Sequence, residues 1–94
     1  MRFARVPVVD EYTEDGETVV LLDDGRVLAL TEVPSAVLAL LAGGSREVTE
    51  LTGELVAQFG EPPAEGGSEG VVRSVLDELS ELGLVVATRP THDL

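Results

Sequence analysis

The sequence predicts an α+β, winged-helix-like domain in which a three-stranded antiparallel sheet is followed by three helices. Two patterns and the chain length carry this expectation. The N-terminal third holds short β-branched and apolar runs separated by turn signals, and the remainder holds three apolar stripes at helical spacing. At 94 residues the chain can build one compact core and no second one. Residues 1–88 are read as that single domain, and residues 89–94 as a frayed tail.

The strands come first. Phe3 to Tyr12 carries Val6, Val8 and Val9 around Pro7, which suits one irregular edge strand, since an edge tolerates proline. Glu14-Asp15-Gly16 makes a turn. Thr18 to Leu22 is an apolar, β-branched run of the buried-strand type. Asp24-Gly25 then stands between two apolar runs, the favoured signal for a two-residue hairpin turn whose central residues need positive φ. Arg26 to Leu30 becomes the third strand, antiparallel to the second.

The helices follow. Thr31 can cap the first, about Glu32 to Ala42, with Pro34 in the first turn where a missing N–H costs nothing. Gly43-Gly44 stops it. Ser45 is the expected cap of the second helix, whose stripe is Val48, Leu51, Leu55 and Phe59. From Gly60 to Gly70 the composition shifts to Gly, Pro, Glu and Ser, which reads as a mobile loop. Ser68 and Glu69 open the third helix, Val72, Val75, Leu76, Leu79 and Leu82 line its apolar face, and Gly83 ends it. Leu84 to Ala87 can add a short last strand.

Composition excludes several functions. Hydrophobic residues make up 44% and aromatic residues only 3%, so the core is aliphatic. The formal charge is -12 and lysine is absent, so every cation is an arginine. Nucleic acid is therefore not an expected partner, because phosphate binding needs clustered Lys or Arg, and the same argument counts against an anionic membrane surface. With no cysteine, disulfides, thiolate catalysis and Cys-based metal sites are absent. The N-terminus lacks the apolar run of a secretory signal, and no stretch approaches a bilayer span, so a cytoplasmic protein is the expectation.

Candidate chemistry is sparse. His92 is a lone histidine beside Asp93 near the C-terminus, which reads as solvated tail rather than metal site. Glu47, Glu50, Glu54, Glu78 and Glu81 occupy polar helix faces without the burial that general acid–base chemistry needs. Ser35, Ser45, Ser68 and Ser80 have no nucleophile-elbow context, and no phosphate loop is present. No catalytic residue, metal or cofactor is expected.

Three pieces of the chain, in their order and spacing, carry a resemblance: Leu28-Ala-Leu-Thr-Glu-Val-Pro-Ser-Ala-Val-Leu-Ala-Leu-Leu41, Val48-Thr-Glu-Leu-Thr-Gly-Glu-Leu-Val-Ala-Gln-Phe59, and Val72-Arg-Ser-Val-Leu-Asp-Glu-Leu-Ser-Glu-Leu-Gly-Leu-Val85. From Val27 onward the sequence resembles the PqqD-like family, also known as RiPP recognition elements. It departs at Gly43-Gly44, where the family often has Asp-Gly, and at Glu47, where Thr often opens the second helix. The resemblance implies a non-enzymatic adaptor that binds the leader of a ribosomally made, post-translationally modified peptide precursor and delivers it to a modifying enzyme such as a leader peptidase or a radical enzyme. It further implies that the leader adds as a strand to the sheet edge, between the third strand and the third helix. The implied peptide-binding residues are Arg26, Val27, Leu28, Ala29 and Leu30 on the edge, and Val72, Arg73, Leu76, Asp77, Leu79 and Ser80 on the helix.

Read bottom-up, the same residues have plainer roles. About half of Val27 to Leu30 must face the core, since side chains alternate along a strand. Arg73 lies four residues from Glu69 and Asp77, the spacing of surface ion pairs. Two rival functions remain: a winged-helix DNA-binding regulator, whose reading helix would set one arginine against Asp77, Glu78 and Glu81, and a protein-interaction module of the same fold with no peptide product. A short reading frame beside a protease or cyclase gene would separate the adaptor from the second rival.

Overall fold

The computed structural model describes residues 2–61 and 67–88. The chain folds in the order β1 (Arg2–Arg5), β2 (Asp10–Glu14), β3 (Glu17–Leu21), β4 (Val27–Leu30), α1 (Glu32–Leu41), β5 (Arg46–Glu47), α2 (Val48–Phe59), α3 (Gly67–Glu81) and β6 (Val85–Thr88). The α+β class stands, with two small sheets in place of one. The order β2-β3-β4 makes the expected antiparallel sheet, and β5-β1-β6 makes a second.

The segment read as one irregular strand from Phe3 to Tyr12 is two strands serving different sheets. Pro7 cannot donate to a ladder, and the chain crosses between the sheets there, held by Val6 N–H to the Leu84 carbonyl at 2.8 Å and Val9 N–H to the Leu21 carbonyl at 2.9 Å. β1 then pairs with β5 (Phe3 opposite Arg46) and with β6 (Phe3 opposite Ala87), drawing both ends of the described chain together.

The two Asp-Gly pairs exchange the roles that sequence suggests. Asp15-Gly16 is the tight two-residue turn, with Glu14 opposite Glu17 and positive φ at both residues (55° and 81°). At Asp24-Gly25 only the glycine has positive φ, at 90°. Gly25 N–H donates to the Leu22 carbonyl and Leu22 N–H to the Arg26 carbonyl, so the loop has one more residue than expected, a turn closed by a bulge.

Helix ends follow local chemistry. Thr31 precedes α1 in extended conformation, but its side chain makes no cap bond; Ser35 Oγ donates instead to the Thr31 carbonyl at 2.7 Å. Ser45 does not cap α2. Arg46 and Glu47 first add to β1 as β5, so the helix starts later, at Val48, capped by Glu47, whose side chain and that of Glu50 form a reciprocal capping box. Ser45 instead accepts from Arg2 Nε at 3.1 Å. α3 starts at Gly67, within the segment read as loop, and residues 62–66 of that loop lie outside the described residues, as does the tail 89–94. Gly83, at φ 82°, ends α3 in a Schellman arrangement, with Leu84 N–H on the Leu79 carbonyl and Gly83 N–H on the Ser80 carbonyl.

The core is aliphatic, as composition requires. Val20 and Leu30 of the β2-β3-β4 sheet meet Val37, Leu38 and Leu41 of α1, Leu51 and Leu55 of α2, and Leu76 and Leu79 of α3. Leu84 and Val85 close it at the start of β6.

Candidate functional site

β4 pairs with β3 on one side and forms an edge of its sheet on the other. The bond from Leu22 N–H to the Arg26 carbonyl sets the parity of this ladder. In an antiparallel pair, hydrogen-bonded and non-hydrogen-bonded positions alternate. With Leu21 opposite Val27 and Val20 opposite Leu28, Leu28 and Leu30 direct their N–H and C=O groups at β3. Val27 and Ala29 direct theirs outward, where an edge presents unpaired backbone groups.

Side chains alternate across the other axis. Leu28 and Leu30 face the core, Leu30 fully and Leu28 in part. Val27 and Ala29 face outward, in rows with Leu21 and Val19; Val27 and Tyr12 are each 64% exposed. A strand laid along β4 would set alternate side chains beside this exposed apolar row, and the others beneath it, toward α3.

Beneath the edge lies a groove of about 340 Å³ lined by Ala29, Leu30, Thr31, Pro34, Glu78, Glu81 and Leu82. Its floor is apolar and its α3 wall carries two carboxylates. Glu78 and Glu81 have no hydrogen-bond or ion-pair partner among the described residues.

The edge residues named from sequence come together on β4, with Arg26 just before it. Arg26 is tied to its own turn: its backbone N–H donates to Asp24 Oδ1 at 3.1 Å and its Nε to Oδ2 at 2.8 Å. These contacts, the backbone N–H foremost, hold the Asp24 carboxyl below its ordinary value.

The helix residues named from sequence do not line the groove. Val72, Leu76 and Leu79 are buried in the core. Arg73, Asp77 and Ser80 are exposed, but at about 100° per residue they stand on one flank of the core stripe while Glu78 and Leu82 stand on the other, with Glu81 on the outermost face between the two flanks. Arg73 pairs with Glu69, Nη2 to Oε2 at 3.0 Å, the surface ion pair expected from spacing. Thr31, Pro34, Glu78, Glu81 and Leu82, which line the groove, are not among the edge and helix residues named from sequence. The stripe gave the helix phase but not which flank turns toward β4, which depends on how α3 crosses α1 and the sheet.

A second cleft, about 210 Å³, lies between the β2-β3 hairpin, α1 and the end of α2. Its buried hydroxyls are satisfied within the fold, Thr18 with Thr13 at 2.9 Å and Ser35 with the Thr31 carbonyl. Among the described residues no group of three or more His, Asp or Glu side chains could hold a metal ion, and no helix is long and apolar enough to cross a membrane.

The architecture is thus a winged-helix-like α+β domain in which the β4 edge of one sheet stands above a groove. The family model described as Coenzyme PQQ synthesis protein D (PqqD) matches residues 18–85, most of the chain, and the chain belongs to the PqqD family. Among solved structures it is similar to TbiB1, determined in complex with the TbiA(beta) leader peptide, at 23% identity and a TM-score of 0.72 over 93% of this chain and 99% of that one. That likeness shows the fold. No curated protein matches.

Proposed function

We propose that this chain is a non-catalytic, cytoplasmic adaptor of peptide natural-product biosynthesis, which binds the leader of a ribosomally made precursor and delivers it to a modifying enzyme. The observation that carries the reading is the open β4 edge, with Val27 and Ala29 directing backbone groups outward above a groove. PqqD membership and the fold shared with TbiB1, whose structure holds a leader peptide, support it.

The leader adds as a strand beside β4. Backbone hydrogen bonds to Val27 and Ala29 give affinity independent of side chains, and alternate side chains entering the groove give selectivity. The adaptor needs no chemistry of its own: holding the leader raises the effective concentration of the attached core segment at a leader peptidase or radical enzyme bound to the same complex. A DNA-binding role is disfavoured by α3, where Asp77, Glu78 and Glu81 are exposed and Arg73 is already paired with Glu69.

Proline substitution tests the reading, because proline removes a backbone donor. Val27→Pro and Ala29→Pro are expected to spare the fold and weaken binding of a labelled leader, taken from a precursor gene beside this one, by roughly several-fold to a hundredfold. Leu28→Pro and Leu30→Pro, which break bonds to β3, are expected to lower the melting temperature. If Val27→Pro and Ala29→Pro both melt normally and bind the leader normally, the edge mechanism fails.

A further inference from the structure

Building on this adaptor reading, we propose that the β4–α3 groove selects a cationic leader, one with Lys or Arg at a position whose side chain points inward and pairs with Glu78 and Glu81. An added strand must place alternate side chains on the Leu28 and Leu30 side of the sheet, and the groove there is walled by these two carboxylates.

Among the described residues the carboxylates are uncompensated. Among the described residues each arginine is engaged elsewhere: Arg2 with Ser45, Arg5 with Glu11, Arg26 with Asp24, Arg46 with the Leu40 carbonyl, and Arg73 with Glu69. The chain has no lysine that could reach in. An anionic leader residue at this position would meet two like charges, whereas a cation would gain both as partners. Leu30, Pro34 and Leu82 beside them offer apolar surface to a Lys or Arg stem, whose head would then lie at Glu78 and Glu81.

The net charge of -12 attracts cations to the whole surface, so the test must read position. A display library of random 14-residue peptides is selected at moderate salt on the full-length protein and on E78Q/E81Q, E78K/E81K and A29P. On the wild type we expect Lys or Arg enriched at a fixed position within alternating apolar residues. The selected peptides should bind E78Q/E81Q roughly 2- to 30-fold more weakly, and E78K/E81K should enrich Asp or Glu at that position instead. If A29P abolishes binding but the wild-type pool shows no fixed cation, or E78K/E81K keeps the same cation, the selectivity is overturned while the edge reading stands. If A29P melts normally and still binds the selected peptides, the edge reading falls and this proposal with it.

Discussion

At Gly83 the backbone adopts φ 82°, a conformation that costs a residue with a Cβ about 1–2 kcal/mol. Gly83→Ala should therefore lower stability by about that amount, although an added Cβ would meet nothing closer than Arg26 Nη2 at 3.9 Å. Gly43→Ala, where φ is not positive and the space is open, should be neutral or slightly stabilising, and thermal melts of the pair separate the two cases. Asp24 makes a pH-dependent prediction. Its folded pKa lies below the unfolded value of about 3.9, so its contribution is present above that value and lost as pH falls through the folded pKa. The gap in melting temperature between wild type and Asp24→Asn should shrink on acidification below about pH 4. Gly83 was legible in the sequence as a stop, because an apolar stripe ends on it. The Asp24-Gly25 turn was read one residue too short, because Asp-Gly serves both a two-residue turn and a bulged loop, and strand register decides between them.

The helices show what a stripe does and does not specify. Their spans were legible because apolar residues recur every three or four positions and glycines end the runs. The sidedness of α3 was not. Leu76→Ala should cost about 2–5 kcal/mol by leaving a cavity in the core, whereas Ser80→Ala and Asp77→Ala should stay within about 0.5 kcal/mol and leave leader affinity unchanged. A loss of leader binding at Ser80 or Asp77 with normal melting would place the peptide on the opposite flank of α3. The β5-β1-β6 sheet escaped sequence reading for another reason. Its pairings join residues far apart, Arg2 with Glu47 and Thr88, and β5 is only two residues long, so no local periodicity announces it.

Across the whole molecule, both edges of the chain's business lie on one side of a small aliphatic core: β4 supplies backbone groups and α3 supplies charge. The strand itself was legible from sequence and its role as an edge was what the family resemblance implied, while the choice between its outward and inward groups needed the ladder parity. That parity makes the central claim measurable residue by residue. In amide hydrogen exchange followed by NMR, Leu28 and Leu30 of the free protein should exchange slowly and Val27 and Ala29 fast, because only the former direct their N–H groups at β3. Saturation with leader peptide should slow Val27 and Ala29 by more than about tenfold, as their N–H groups enter a new ladder. A leader that binds tightly while Val27 and Ala29 exchange as before, with protection appearing on another surface, would contradict the account.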